Sequence, residues 1–226
     1  MSNDNKDAHI MWKLSKESVV QHNDWTRQIV KEYTLPNGKP KKAYVNKAHD
    51  YVVGMCLTPD MDIVLCREFR PGPEKIMLDM PAGAVNHGED PVIAMARELQ
   101  EETGYAGTVE FVNSTIVNPY SIQRRHTFVI RNAVKVSGQD TDHDEFIEVV
   151  LMPLPQFINE WVLDGKTTNS AAAIFCLKAL GMLQVDYKNG RVLQPMSSEK
   201  VVEIGKKIGL WNEDGSLGEK YGGKSK

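Results

Sequence analysis

The 226-residue chain has little that would commit it to a membrane, an oxidising compartment or a nucleic acid. Its three cysteines, Cys56, Cys66 and Cys176, show no CxxC spacing, and each sits in an apolar run. An odd, scattered set of this kind excludes a disulfide scaffold or a zinc ribbon. It points to buried thiols in a reducing compartment, so a cytoplasmic location is expected. No apolar stretch approaches the roughly 20 residues needed to cross a bilayer. The polar start, MSNDNKD, does not read as a signal peptide. A net charge of −3 gives no reason to expect nucleic-acid binding. The small basic cluster Lys39, Lys41 and Lys42 follows a turn and reads as a solvated edge. No internal repeat is present. What remains is 41% hydrophobic and 25% charged, suited to one globular domain or a domain with an added subdomain. The length allows a substantial buried core.

The most specific stretch is 83–105, GAVNHGEDPVIAMARELQEETGY. Asp90 suits an N-cap, Pro91 the first helical position and Gly104 a C-terminal stop. At about 100° per residue, Val92, Met95, Ala96 and Leu99 form one apolar stripe, with Glu98, Glu101 and Glu102 on a flank away from it. No basic residue is spaced among the three glutamates to pair them. Like charges at i, i+3 and i+4 destabilise an isolated helix by about 0.2–0.5 kcal/mol per pair. A hard divalent cation, which prefers oxygen ligands, would relieve that repulsion. An acidic run on a solvated helix face is the alternative. Arg97 falls near Glu101 and could also turn back to Glu89.

Around this helix the pattern is strand-rich. Strands are expected at 25–35 and 41–47 about a Pro36-Asn37-Gly38 turn, at 51–57 and 63–66, and at 76–80. More follow at 108–117, 126–136 and 146–152, and then helices at 154–162, 169–183 and 197–208. The order predicts an α/β chain. Residues 1–10 read as disordered, 11–48 as a β-rich N-terminal subdomain, 49–185 as the main domain, and 186–226 as a C-terminal helix and flexible tail.

The 83–105 segment resembles the Nudix box, Gly-x5-Glu-x7-Arg-Glu-U-x-Glu-Glu-x-Gly-U. Gly83, Glu89, Arg97, Glu98, Leu99, Glu101, Glu102 and Gly104 match it, and Tyr105 stands where an aliphatic side chain is usual. The resemblance implies an α/β/α sandwich with a mixed sheet, and a pyrophosphohydrolase that uses Mg²⁺ (or Mn²⁺). The ion neutralises the phosphates, acidifies water and orients the leaving group. Glu98 and Glu102 are the leading metal ligands, with Glu101 sharing the site and the Ala82 carbonyl contributing. Glu101 and Arg97 are carried as catalytic candidates. Gly83, Glu89 and Gly104 are structural members of the motif, and for Arg97 a loop-holding role beside Glu89 is the alternative.

Outside the box, Arg67-Glu68-Phe69-Arg70-Pro71-Gly72 resembles the Arg-Gln-Tyr/Phe-Arg-Pro-Gly segment of the ADP-ribose pyrophosphatase branch. Leu78-Asp79-Met80-Pro81-Ala82-Gly83 resembles that branch's Glu-Leu-Pro-Ala-Gly, with Asp79 in place of the usual Glu. The likeness makes Arg70 a candidate phosphate contact, its alternative being a structural salt bridge. Asp79 joins the substrate-binding candidates. Trp25 and Tyr44 could stack on a base, or simply pack. Two departures bear on substrate. Gln123 stands where the branch has a Glu, and Arg124 and Arg125 follow it. His126 could be a polar contact or a half-buried strand residue. The branch also implies a loop glutamate as base or extra metal ligand. Glu145 is the first choice within Asp142-His143-Asp144-Glu145 and Asp144 the second, with an ordinary acidic turn as the alternative. The expected partners are a small-molecule nucleotide substrate and a second copy of the chain, in a homodimer, with neither nucleic acid nor membrane. ADP-ribose is the first substrate choice. GDP- or UDP-sugars, a dinucleotide cofactor, or a non-catalytic ADP-ribose sensor are the alternatives.

Overall fold

The Pro36-Asn37-Gly38 signal forms the turn it suggests. Gly38, at φ 79°, donates its N–H to the Leu35 carbonyl at 2.9 Å, and the Asn37 side chain accepts from Lys39 N–H at 3.1 Å. In this computed structural model, which describes residues 7, 9–21, 26–162, 164–186, 191–194, 203 and 206, the turn joins β2 (Thr26–Thr34) to β3 (Pro40–Ala48). The register places Thr34 opposite Pro40 and Val30 opposite Tyr44. On the other side of β2 lies β1 (Lys13–Gln21), completing an antiparallel three-stranded sheet. No strand is expected there from the sequence pattern. Residues 13–20 are exposed throughout, so neither face imposes the apolar–polar alternation by which a strand is recognised.

Backbone contacts divide the chain into two compact units, one of residues 1–51 with 114–125 and the other of 52–113 with 126–226. The first is the three-stranded sheet with a later loop bound to it. Asn46 N–H donates to Tyr120 O at 2.7 Å, and Ile122 N–H to Asn46 O at 3.1 Å.

The second unit carries most of the main sheet, whose strands run in the order β10 (Glu148–Pro153), β5 (Asp62–Arg70), β4 (Tyr51–Leu57), β9 (Arg124–Lys135) and β8 (Tyr105–Ile116). β6 (Lys75–Asp79) pairs antiparallel with the second half of β5, and β7 (Ala82–Ala84) pairs with β4. This is the mixed sheet of an α/β fold. Every residue from Val52 to Leu57 is buried, so β4 is covered on both faces. Helix α1 (Pro91–Thr103) supplies Ala94, Met95 and Leu99 to a core with Val52, Cys56, Val64, Phe128 and Ile130. Helix α2 (Leu154–Gln156) runs into a π-helical segment, Phe157–Val162, and α3 (Ser170–Ala179) follows. The Cys176 thiol on α3 donates to the Phe128 carbonyl of β9 at 3.3 Å. Two short strands, β11 (Gln184–Asp186) and β12 (Arg191–Gln194), pair antiparallel after α3. The expected helix at 197–208, except for positions 203 and 206, and the tail from 212 lie outside the described residues. So do Trp25 and all of residues 1–10 but 7, 9 and 10. Among the described residues no helix is long and apolar enough to cross a membrane.

The caps of α1 form as expected. Asp90 accepts from Val92 N–H at 2.8 Å, and Gly104 adopts φ 74° while donating to Gln100 O. The buried face is rotated from the expected one. Val92 and Ala96 are exposed, whereas Ala94, Met95, Leu99 and Glu102 are buried. The rotation turns Glu102 toward the sheet, contrary to its expected place on the outer flank.

Candidate active site

Helix α1 brings Glu98, Glu101 and Glu102 beside β7 and β5, but two of the three are compensated. Arg97 is the built-in cation of Glu98 and Glu101, which corrects the expectation that no basic residue would pair them. Its Nη1 donates to Glu98 at 2.9 Å and to Glu101 at 2.8 Å. Its Nε and Nη2 grip both oxygens of Glu89, at 2.9 and 3.0 Å, and Nη2 also donates to the Ala84 carbonyl at 3.0 Å. One planar fork thereby ties the loop before α1 to the helix and to β7. Glu89 also accepts from Asn86 N–H at 2.9 Å. Its carboxyl lies below the usual range, chiefly because Arg97 donates to it.

Glu102 behaves differently. It is only 6% exposed, and its Oε2 accepts from Ala82 N–H at 3.0 Å and from the Cys66 thiol at 3.5 Å. Burial pushes its carboxyl up to about 8, against the Ala82 hydrogen bond, and the charges of Glu98 and Glu68 push it the same way. Glu98 is raised mainly by burial, an effect Arg97 opposes and Glu101 and Glu145 add to. Gly83 explains how Glu98 fits. A Cβ there would lie 1.9 Å from the Glu98 Cδ, so only a glycine lets the carboxylate lie against β7. The Cys66 thiol, also buried, is pushed well above its ordinary value by burial and by Glu102.

Glu68, for which the sequence pattern implies no role, lies close by. On β5, Cys66, Glu68 and Arg70 alternate onto one face. Since Cys66 reaches Glu102, Glu68 follows it along the same side. Burial raises the Glu68 carboxyl against the opposing effect of Arg70, and Glu145 and Asp79 add to the rise. The acidic loop is therefore electrostatically part of the site, since Glu145 acts on both Glu68 and Glu98. Asp144 lies 3.8 Å from His143, both exposed. The loop, which runs from β9 to β10, is anchored to the C-terminal end of α1. Gln139 Nε2 donates to Glu102 O at 2.7 Å and to Ile147 O at 3.0 Å, and Asp140 N–H donates to Glu101 O at 2.9 Å. Beside it opens a groove of about 370 Å³ lined by Arg67, Glu68, Ile76, Phe146, Ile147 and Glu148.

The remaining candidates are not all gathered here. Arg70 holds Glu68 across 2.6 Å. Asp79 is buried, and both its oxygens are engaged by the segment before α3. Thr167 and Thr168 hydroxyls, Thr168 N–H at 3.0 Å and Asn169 Nδ2 at 3.3 Å all donate to it. That arrangement fixes the loop and leaves the carboxylate little capacity for substrate. Arg124 and Tyr44 belong to the first unit. The Arg124 guanidinium donates to Ser114 Oγ at 2.7 Å and Ser114 O at 3.1 Å, and Tyr44 is 56% exposed on β3. Gln123 Nε2 donates to the His49 carbonyl at 2.5 Å, in the same unit.

Among the described residues no three His, Cys, Asp or Glu side chains are gathered as a ready-made ion cage. Arg97 holds Glu98 and Glu101 while Glu102 turns in to Ala82 and Cys66. The donors nevertheless suit a hard divalent ion. All are oxygens, and Glu102 is a buried carboxylate whose partners, an amide and a thiol, bring no countercharge.

Residues 48–173 match the NUDIX domain family, more than half of the chain. The chain belongs to the Nudix family. It is 30% identical over 169 residues to a methanol dehydrogenase activator of Bacillus methanolicus, covering 70% of this chain and 91% of the relative. It is 27% identical to an ADP-ribose pyrophosphatase of Bacillus subtilis, with the same coverage. To an ADP-ribose pyrophosphatase of Saccharomyces cerevisiae it is 32% identical over 53% of this chain and 58% of that one. The crystal structure of an ADP compounds hydrolase superposes with a TM-score of 0.65 over 80% of this chain and 97% of the other, at 20% identity. That likeness concerns the fold.

Proposed function

We propose that this Nudix pyrophosphohydrolase cleaves the internal pyrophosphate of a nucleoside diphosphate sugar, ADP-ribose first, giving a nucleoside monophosphate and a sugar phosphate. The observation that carries the reading is Glu102, a buried carboxylate without a countercharge, set beside Glu98 over a glycine and beside the Ala82 backbone. A divalent ion, Mg²⁺ or Mn²⁺, would be held by Glu98 and Glu102, with Glu101 and the Ala82 carbonyl completing the donors. Bound there, it supplies charge neutralisation at the phosphates and a more acidic water. Arg97 keeps the three-element frame together, and Arg70 offers its planar fork to a phosphate. Glu145 is our choice of general base, because its charge already acts on Glu68 and Glu98 from a loop that can close over substrate. The groove beside Glu68 leaves room for the group beyond the pyrophosphate. The ADP-ribose pyrophosphatases among the relatives support the substrate choice, whereas Gln123 and Arg124 favour a shifted preference within the class. GDP- and UDP-sugars are therefore the second reading.

A homodimer is supported by the first unit. Trp12, Leu14, Val19, Val20 and Tyr44 of that unit are between 40% and 56% exposed, and a small sheet with so much open apolar surface calls for cover. Three free, buried cysteines fit the reducing cytoplasm. Incubation with ADP-ribose and Mg²⁺, with AMP release as the readout, tests the activity. Extension to GDP- and UDP-sugars ranks the substrates. Absence of cleavage across that panel would sink the proposal.

A further inference from the structure

In the family segment that this strand resembles, a neutral glutamine precedes the aromatic residue and the second arginine. Here that position is Glu68. The exchange places a carboxylate next to the arginine that the reading above assigns to substrate phosphate. The geometry shows what it does. Arg70 Nη2 lies 2.6 Å from Glu68 Oε1, and the Glu68 side chain is 14% exposed against 35% for Arg70. Although Oε1 is shielded from solvent, among the described residues no N–H or O–H is aligned to donate to it. The pair is a close charge contact without hydrogen-bond alignment, so the carboxylate is only partly satisfied. Glu68 also shares its face of β5 with Cys66, whose thiol touches Glu102. A partly satisfied, largely buried carboxylate thus stands between the candidate phosphate arginine and the candidate metal-binding glutamate.

We infer that Glu68 couples metal binding to substrate binding: its carboxylate restrains Arg70 in the metal-free protein and joins the oxygen donors of the divalent ion, leaving Arg70 free for phosphate. The inference rests on the metal-dependent pyrophosphohydrolase reading and deepens it. A glutamine at this position neither holds Arg70 by charge nor offers an anionic ligand. The two binding events would therefore be less linked in a chain with the family's usual residue. Linkage is reciprocal, so the coupling must appear from either side.

The test compares wild type with Glu68→Gln, which keeps the side-chain shape, and with Glu68→Ala as a second variant. Folding of both is confirmed by calorimetric melting. Isothermal titration measures Mn²⁺ binding without nucleotide, and binding of a methylene-bridged, uncleavable ADP-ribose analogue with and without Mn²⁺. The expected result for Glu68→Gln is Mn²⁺ affinity lowered by roughly tenfold, with metal-free analogue affinity raised several-fold. Mn²⁺ should then tighten the analogue less than it does in wild type. Unchanged Mn²⁺ affinity overturns the inference. So does an analogue that binds the metal-free variant no more tightly than it binds metal-free wild type. If wild type cleaves no nucleotide sugar, the ADP-ribose reading fails, whereas the Mn²⁺ titration still decides whether Glu68 is a ligand.

Discussion

Replacing Glu102 with glutamine removes a negative charge from a position where the metal-free fold tolerates it poorly, and it leaves the contacts almost unchanged. The amide oxygen can still accept from Ala82 N–H, as the carboxylate does at 3.0 Å. The wild-type carboxyl is pushed from an ordinary 4.5 up to about 8 by burial. The folded state therefore keeps a proton that the unfolded chain has released. The contribution to stability is fully present below pH 4.5 and falls as pH rises, levelling off above about 8. Each pH unit between the two values costs about 1.4 kcal/mol, so the loss at pH 7 is up to about 3 kcal/mol. For a chain of this size that corresponds to roughly 6–12 °C in melting temperature. Scanning calorimetry in chelator between pH 5 and 8 should show the variant gaining on wild type as pH rises. With excess Mg²⁺ the order should reverse, because the ion stabilises only the protein that binds it. Hydrolysis by the variant should fall by several orders of magnitude. Parallel melting curves across pH, or near-normal turnover, would refute the assignment of Glu102 as a buried metal ligand.

Gly83→Ala should lower kcat by about a hundredfold with little loss of fold, since its Cβ would collide with Glu98 at 1.9 Å and shift that carboxylate by an ångström or more; steady-state rates beside a circular dichroism spectrum check this. Arg97→Lys should cost roughly 2–3 kcal/mol and most of the activity, because an ammonium cannot reach Glu89, Glu98, Glu101 and the Ala84 carbonyl together; urea unfolding measures it. Arg70→Ala should raise KM strongly with a smaller effect on kcat, whereas Arg124→Ala should mainly reorder preference across a nucleotide-sugar panel. Light scattering should return about twice the 25.4 kDa chain mass, and a fully active monomer at micromolar concentration would rule out the dimer.

The parts of this molecule that could be read from sequence are those specified within a few residues. Asp90, Pro91 and Gly104 delimit α1 by local capping, and Pro36-Asn37-Gly38 delimits a hairpin. What escaped was set by partners far along the chain. A helical wheel sends carboxylates outward because it scores each side chain against water. Glu102 instead turns inward to an amide twenty residues earlier and a thiol thirty-six residues earlier. The same cause rotated the buried stripe of α1 away from Val92 and Ala96. β1 was missed because neither of its faces is buried.

The case of Glu68 is of another kind, because its signal was present. The expected strand 63–66 ends where the charged residues Arg67 and Glu68 begin. In the structure β5 runs on to Arg70, held by β6 in a register that sets Glu68 opposite Met77 and Arg70 opposite Lys75. Charge at the end of an otherwise apolar strand was read as a boundary. A sheet that continues past its core, with a second strand supplying the backbone hydrogen bonds, can carry charged residues into a site without breaking the ladder. Alternation then does the rest. Cys66, Glu68 and Arg70 must share a face, and a thiol on Glu102 fixes which face it is. The charged run that hid the strand's extent is thus the feature that places a carboxylate and a guanidinium on the face of β5 that meets Glu102, where a metal-dependent phosphate chemistry would need both signs of charge.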